Sequence, residues 1–450
     1  MSRTTRELDA PRAVHEIAGK LRRHGHQAWA VGGAVRDAVL GLPATDWDIA
    51  TSARPQEVRS IFRRTVPIGI EHGTVGVLWK DGVLYEVTTF RQDVETDGRH
   101  AVVRFADRIE DDLARRDFTI NALAWDPATK ELYDPYGGLD DIAARVIRTV
   151  GNASERFAED YLRVLRALRF AGHLDYTVDG ETWTALREAT PKLTRLSVER
   201  VREELTKVLQ QTPRASRTLE LYRASSALSV LYPELAATVG VRTDDDAPDV
   251  WSLSLAAVDT VPRHRVRLRL AALLHGIGMP AARTKSLRGG FSFVGHEQIG
   301  ARKAAELLKR LRASNADIEH VESLVRLQNA LFPPDAPDPG VRRWLRDVEP
   351  HRVRDLFRLR FALWRANPVE GGDRDLCTRW KRAHAVMLSR PVLTTAGLAV
   401  DGGDLKRLGL SPGPQFGQIL NALLERVIED PDLNTKEQLL AIIEQELADA

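Results

Sequence analysis

From about residue 153 onward this chain reads as one helix after another, while strand-like runs are confined to residues 28 to 150. "AWAV", "DWDIAT", "TVGVLWK" and "VLYEVTTF" alternate or run apolar over strand lengths, and "KDG" between the last two reads as a hairpin turn. Beyond them, "SERFAEDYLRVLRALRFAGHL" and "SVERVREELTKVLQQ" carry apolar residues at helical spacing. The connectors "VRTDDDAPDV", "FPPDAPDPG" and "ANPVEGGDRD" then separate further helical stretches. A chain of 450 residues exceeds one ordinary core. The expected fold class is α+β: an N-terminal head with a small mixed β-sheet, followed by an all-helical neck, body and tail. The expected segments are 1–152, 153–215, 216–370 and 371–450, with no sustained internal repeat.

Composition excludes several function classes. Hydrophobic residues make up 43% and charged residues 28%, which suits a water-soluble domain protein. The net charge of +2 does not announce a nucleic-acid partner, although arginines cluster in "RHRVRLRL" and between Arg342 and Arg360. A solvated helix face is the ordinary explanation of either cluster. The single cysteine, Cys377, rules out an intrachain disulfide and a cysteine-based zinc site. The N-terminal stretch lacks the apolar core of a signal peptide, and no run approaches the roughly 20 apolar residues of a membrane span. The expectation is a cytoplasmic protein with no membrane association and no implied protein partner.

The chemistry concentrates in "VGGAVRDAVLGLPATDWDIAT", residues 31 to 51. Gly32 and Gly33 follow a strand and permit close backbone approach and unusual φ. The helix that begins there offers free N–H groups to phosphate, and Arg36 adds a forked donor. Asp46 and Asp48 follow; in a strand, residues two apart share a face. Adjacent carboxylates without a local cation repel, and a divalent metal removes the conflict. Hard oxygen ligands beside phosphate suit Mg2+, and a metal pair can activate a hydroxyl and stabilise departing pyrophosphate. A lone D-x-D is weak, but one ten residues after G-G-x-V-R-D points to nucleotidyl transfer.

With these motifs the chain resembles the class II tRNA nucleotidyltransferases, the CCA-adding enzymes of bacteria and eukaryotes, which are similar to bacterial poly(A) polymerases. The resemblance continues in order through "HGTVGV", "YEVTTFR", "DGRH", "DDLARRDFTINALA", "DPYGGLDD" and "RFAEDYLRVLRALRF". It weakens after about residue 210 and returns at "DGGDLKRLGLSPGPQFGQIL". The implied partners are tRNA, CTP and ATP. The resemblance also implies that Glu86 joins Asp46 and Asp48 as a third catalytic carboxylate. The polar stretch from Arg91, otherwise a surface loop, would help rearrange the site between C and A addition. Arg116 would bind nucleotide, whereas Asp117 has the local reading of a helix cap.

On the helix of "EDYLRVLRALRF", Asp160, Arg163, Arg166 and Arg169 recur every third residue, as a solvated stripe would. Base chemistry gives another reading. An acceptor plus a donor match the pairing edge of C and A and oppose the carbonyl of G and U. The resemblance assigns Asp160 and Arg163 to that pair, with Arg166 and Arg169 as further nucleotide contacts. Farther on, "LLHGIGMP" and "FVGHEQIGARKAAELL" look like a worn metal-dependent phosphohydrolase motif, in which Gly276 follows His275 where an aspartate is needed. An enzyme adding only the terminal A, or a poly(A) polymerase, shares the catalytic core; a phosphohydrolase of the helical body is the reading from another class.

Overall fold

Alternation settles how the head is layered. The computed structural model describes residues 2–96, 101–243, 247–285 and 290–448. Its first elements are β1 (Ser2–Thr5), α1 (Arg12–Arg23), β2 (Ala28–Val31), α2 (Gly33–Val39), β3 (Asp48–Thr51), α3 (Pro55–Ile61), β4 (Thr65–Gly69), β5 (Thr74–Leu78) and β6 (Leu84–Thr89). Then come β7 (Arg91–Thr96), β8 (Ala101–Phe105), α4 (Ile109–Ala114), β9 (Ala124–Trp125), β10 (Glu131–Asp134) and α5 (Gly138–Ala144). Eight strands form one sheet in the order β1-β10-β9-β2-β3-β6-β5-β4. Only β3 and β6 run parallel; every other neighbouring pair is antiparallel.

Val75, Val77, Tyr85 and Val87 point to one face and join a core with Val14, Ile17 and Leu21 of α1. On the other face Trp29, Val31 and Ala50 pack with Ile109 and Leu113 of α4. Among the described residues, neither core cluster includes a residue of β4 or one from the Glu86 face of β5 and β6, where Val66, Leu84 and Glu86 are exposed. Such alternation is what one strand residue in two predicts.

The stretch from Arg91 is a hairpin, β7 pairing antiparallel with β8, with a register irregularity between Asp93 and Glu95. Residues 97–100, the centre of that stretch, lie outside the described residues.

The neck follows as α6 (Ala153–Glu159), α7 (Leu162–Leu174), α8 (Gly180–Ala189) and α9 (Val198–Gln211). The continuous helix expected through "EDYLRVLRALRF" is broken at Asp160 and Tyr161. Asp160 adopts an extended φ of −154°, and its Oδ1 accepts from the Leu162 N–H at 3.0 Å. The side chain thus caps the new helix, as short polar residues do.

The chain divides into two compact units, Met1–Pro233 and Glu234–Ala450. The second is almost wholly helical, from Val250–Thr260 to Lys436–Ala448. A small core of Val400, Leu405, Leu423, Val427, Leu439 and Ile443 closes its end. Among the described residues, no helix is long and apolar enough to cross a membrane.

Candidate active site

The turn after β2 requires glycine at one position above all. Gly32 has φ +79°, and a Cβ there would lie 2.8 Å from Nη1 of Arg116 and 3.9 Å from Oδ2 of Asp48. The positive φ strains any side chain there, and a Cβ would push aside the flexible tip of Arg116. Gly33 is less constrained: its Cβ would make an ordinary 3.7 Å contact with Arg36 Nη2.

Register then brings Asp48 beside that turn, because Val31 pairs with Asp48. The parallel pairing of Ile49 with Val87 puts Glu86 next to Asp48 on the far side. Strand β3 starts at Asp48, so Asp46 lies in the preceding loop and not, as expected, in the strand. Between the two aspartates, Trp47 is 2% exposed and donates its indole N–H to Ala44 O at 3.1 Å. This buried anchor leaves the flanking carboxylates toward the open side.

Electrostatics confirm that the three carboxylates share one field. Burial, then Asp46 and Glu86, push the Asp48 carboxyl up to about 7, against the opposing charge of Arg116. Like charges raise a carboxyl in this way. The donor set, all hard oxygen, fits a divalent cation that would remove the repulsion. Among the described residues, no group of three or more His, Cys, Asp or Glu side chains is placed to hold a metal ion, so a cation here would rest on no more than two protein carboxylates as they stand. An open set of carboxylates leaves coordination positions for substrate oxygens and water, the usual arrangement for magnesium.

Arg116 is held in place by a residue that sequence reading passed over. Asp112, 1% exposed, accepts from Arg116 Nη2 at 3.0 Å and from Arg115 Nη2 at 2.7 Å. Burial opposes its ionisation, but the two arginines hold its carboxyl below the usual range. Among the described residues, Arg116 Nε is buried without a protein partner. Such an orphaned donor under a glycine turn suits an oxygen-rich ligand.

A second network joins head to neck within the first unit. Arg36 is 5% exposed; it donates from Nη1 to Asn121 Oδ1 at 2.6 Å and pairs with Asp37 at 2.7 Å. Its guanidinium lies 4.9 Å from the ring centre of Phe170, so it faces protein and not open space. Asn121 donates in turn to Asp117 Oδ1 at 3.0 Å, and Arg166 Nε donates to Asp117 Oδ2 at 2.7 Å. Asp117 is therefore a buried clamp onto α7, where a helix cap was expected. Against the cost of burial, the Arg166 charge and the N–H groups of Asn121 and Phe118 hold its carboxyl down to about 2.

The remaining neck residues are also engaged. Asp160 Oδ2 accepts from Arg200 of α9 at 2.7 Å. Arg163 pairs with Glu159 and donates to the carbonyls of Arg156 at 2.9 Å and Arg115 at 3.1 Å. Arg169 is 6% exposed and pairs with buried Glu204 at 2.7 Å. Asp160, at 28% side-chain exposure, is more open than Arg163 at 11%. Asp112, Asn121 and Arg200 escaped the sequence reading because their partners are brought to them by the fold. The one available signal was a polar residue inside the apolar run "DFTINALA".

The worn motif in the second unit has a different character. His275 donates from Nδ1 to Ala272 O at 2.9 Å, and burial, helped by His296 and Arg360, lowers its pKa to about 4. A Cβ on Gly276 would lie 2.3 Å from Val250 Cγ1. No carboxylate fits there unless Val250, itself 1% exposed, moves.

Similarity to known proteins follows the same division. Residues 28–148 match the poly A polymerase head domain, 175–238 the probable RNA and SrmB-binding site of polymerase A, and 245–357 the HD domain. The CCA-adding enzyme of Geobacillus stearothermophilus is 34% identical over 429 residues, covering 94% of each chain. That of Anoxybacillus flavithermus is 35% identical over 436 residues, covering 95% of each. The crystal structure of the Bacillus stearothermophilus CCA-adding enzyme in complex with CTP matches with a TM-score of 0.72 and 30% identity, over 97% of this chain and 98% of that one. Full-length similarity and a carboxylate site on the matched head agree, and the chain belongs to the CCA-adding enzyme family.

Proposed function

We propose that this protein adds or repairs the 3′-terminal CCA of tRNA, using CTP and ATP without a nucleic-acid template. The observation that carries the proposal is the carboxylate group of Asp48, Asp46 and Glu86 beside the Gly32 turn, in a chain similar to CCA-adding enzymes along its whole length. In the reaction the RNA 3′ oxygen bonds to the α-phosphorus of the nucleotide, and pyrophosphate leaves. Asp46 and Asp48 would hold the divalent cation, which we take to be magnesium. When bound, it supplies Lewis-acid stabilisation of the entering and leaving oxygens. Glu86 stands beside the entering hydroxyl. Arg116, steadied by Asp112, meets phosphate or ribose oxygens under the glycine turn, with Gly33 giving close backbone approach. Arg36 acts through the Asn121–Asp117 network that ties this turn to α7.

Base selection is assigned to Asp160 and Arg163. The carboxylate accepts from the exocyclic amine of C or A and opposes the carbonyl of G or U, while arginine donates to the neighbouring acceptor. Arg166 and Arg169 fix the helix that carries the pair. In this reading residues 1–152 form the catalytic head, 153–215 the base-reading neck, 216–370 the body and 371–450 a tRNA-binding tail. A cytoplasmic location belongs to the same proposal.

The test uses tRNAs ending at the discriminator base, at C and at CC, each incubated with one nucleotide at a time. The expected result is CTP use on the first two and ATP use on the third. Incorporation of ATP alone, on the third substrate only, would replace the proposal with terminal-A addition.

A further inference from the structure

Beside Glu86, the exposed face of β4 and β6 carries aliphatic side chains where a solvated face would be polar. On β6, Leu84, Glu86 and Thr88 alternate with Tyr85 and Val87, which are buried in the core. Glu86 pairs with Gly76 of β5, and Gly76 pairs with Val66 of β4, so all three share the Glu86 face. Ile68 reaches over the same spot: a Cβ on Gly76 would lie 2.5 Å from Ile68 Cδ1 and 3.0 Å from Leu84 Cδ1. Yet Val66, Ile68 and Leu84 are 43%, 40% and 43% exposed. The missing side chain at Gly76 lets Ile68 and Leu84 close over the strand, which is buried there, and form a low aliphatic shelf. An exposed apolar group of this kind marks a contact surface.

Its position fixes the occupant. Asp48 has the Gly32 turn and Arg116 on its β2 side and Glu86 on its β6 side. The turn and the arginine serve the triphosphate. Phosphoryl transfer sets the attacking and leaving oxygens roughly in line, so the attacking hydroxyl enters from the opposite side. That side is the one carrying Glu86 and, next along the sheet, the shelf.

Resting on the function proposed above, we infer that Ile68, Leu84 and Val66 form a seat for the terminal base of the acceptor RNA. The aliphatic groups take the flat face of the base and ask for no hydrogen-bonding pattern. A seat of that chemistry accepts each of the successive 3′ ends, the discriminator base, C and then the second C, without distinguishing them. Selection stays with the neck residues on the incoming nucleotide.

The test is steady-state addition by the full chain carrying Ile68→Thr and Leu84→Thr together, substitutions that keep strand-forming residues on an exposed face. The KM for tRNA ending in CC should rise about tenfold, the effect of losing apolar burial of this size. The KM for ATP and the melting temperature should stay as in the parent. A second substrate, an acceptor whose terminal nucleotide lacks its base, makes the test specific. The parent should lose a similar factor on it, and the variant should lose little more. An unchanged KM for tRNA, a shift in KM for ATP alone, or full additivity of the variant with the missing base would each overturn the seat. A changed sedimentation coefficient with unchanged KM would assign the shelf to a protein contact, which also overturns it. Should Asp48→Ala retain full activity, the proposed function fails as well; should only the shelf variant be silent, the seat alone fails.

Discussion

Gly32 and Gly276 each stand beside a motif residue, and they do opposite things. At Gly32 the space of a side chain is filled by the tip of Arg116, a long flexible group with an orphaned N–H. At Gly276 it is filled by Val250, a buried branched side chain on the Val250–Thr260 helix. The first glycine holds open a polar site; the second records that an apolar core has closed over one. The titratable groups agree. Asp48 sits among like charges that call for a cation, while His275 is buried with its Nδ1 bonded to a backbone carbonyl. A glycine in a motif therefore says little until the atoms around its missing Cβ are known.

The sharpest break between the two sites is removal of the central ligand from each. Asp48→Ala should lower both C and A addition by about 10³-fold or more, since metal stabilisation is worth several kcal/mol at the transition state. His275→Ala should leave addition by folded protein unchanged. Single-turnover assays at saturating magnesium and nucleotide decide this. A metal-stimulated phosphatase that survives Asp48→Ala and vanishes with His275→Ala would mean that the second site is alive.

The glycines themselves come next. Gly32→Ala places a Cβ at positive φ and displaces Arg116, so addition should fall about 10²-fold, the scale of a mispositioned group. Gly276→Ala should instead cost about 1–3 kcal/mol of stability through overpacking against Val250, with the turnover of folded molecules retained. Urea titration together with kinetics separates the two. Equal kinetic loss in both variants would remove the contrast.

Within the first unit, Asp160→Ala should raise relative incorporation of UTP and GTP by about tenfold on a tRNA ending in C, as expected for loss of one base contact. The Asp160–Arg200 pair makes this informative. If all four nucleotides slow equally, the carboxylate serves as the α7 cap and as a partner of Arg200, and the base reading is lost from Asp160.

These residues also show where sequence reading works. The strand, glycine turn and D-x-D pair were legible because each depends on neighbours a few residues away. Glu86 was named through the family resemblance, and the structure puts it on the face of β6 opposite buried Tyr85 and Val87. The break at Asp160 was hidden because charges at every third position continue unbroken across it, whereas the cap on Leu162 is a side-chain event. Asp117 looked like a helix cap because Arg166, its partner 49 positions away, is supplied only by folding. Arg36 looked like an open phosphate donor for the same reason: Asn121, 85 positions away, takes one arm of its guanidinium. The strand limits of β3 shifted because Trp47 is an anchor ahead of the strand and not part of its alternation.

A final contrast opposes the two sites in pH. Asp48 has a folded pKa of about 7 against 3.8 for the ordinary group, so between about pH 4 and pH 7 the folded chain holds a proton that the unfolded chain has released. Stability then falls as pH rises through that window. His275 has a folded pKa of about 4 against 6.5, so there the unfolded chain holds the extra proton and stability rises with pH over nearly the same range. Shifts of this size correspond to contributions of about 4 kcal/mol for Asp48 and about 3 kcal/mol for His275. Without divalent metal the two slopes oppose one another, and where the units unfold together the parent shows a flattened profile. Asp48→Asn removes the falling component and should make stability climb with pH. His275→Ala, although lowered overall by its cavity, should leave stability declining with pH. Urea titrations in chelator at several pH values between about 4 and 7 read the slopes, which a uniform mutational loss does not alter. Added magnesium should flatten the decline seen in His275→Ala, because the cation stabilises ionised Asp48. Parallel slopes in the parent and both variants would mean that neither group carries its displaced proton in the folded chain.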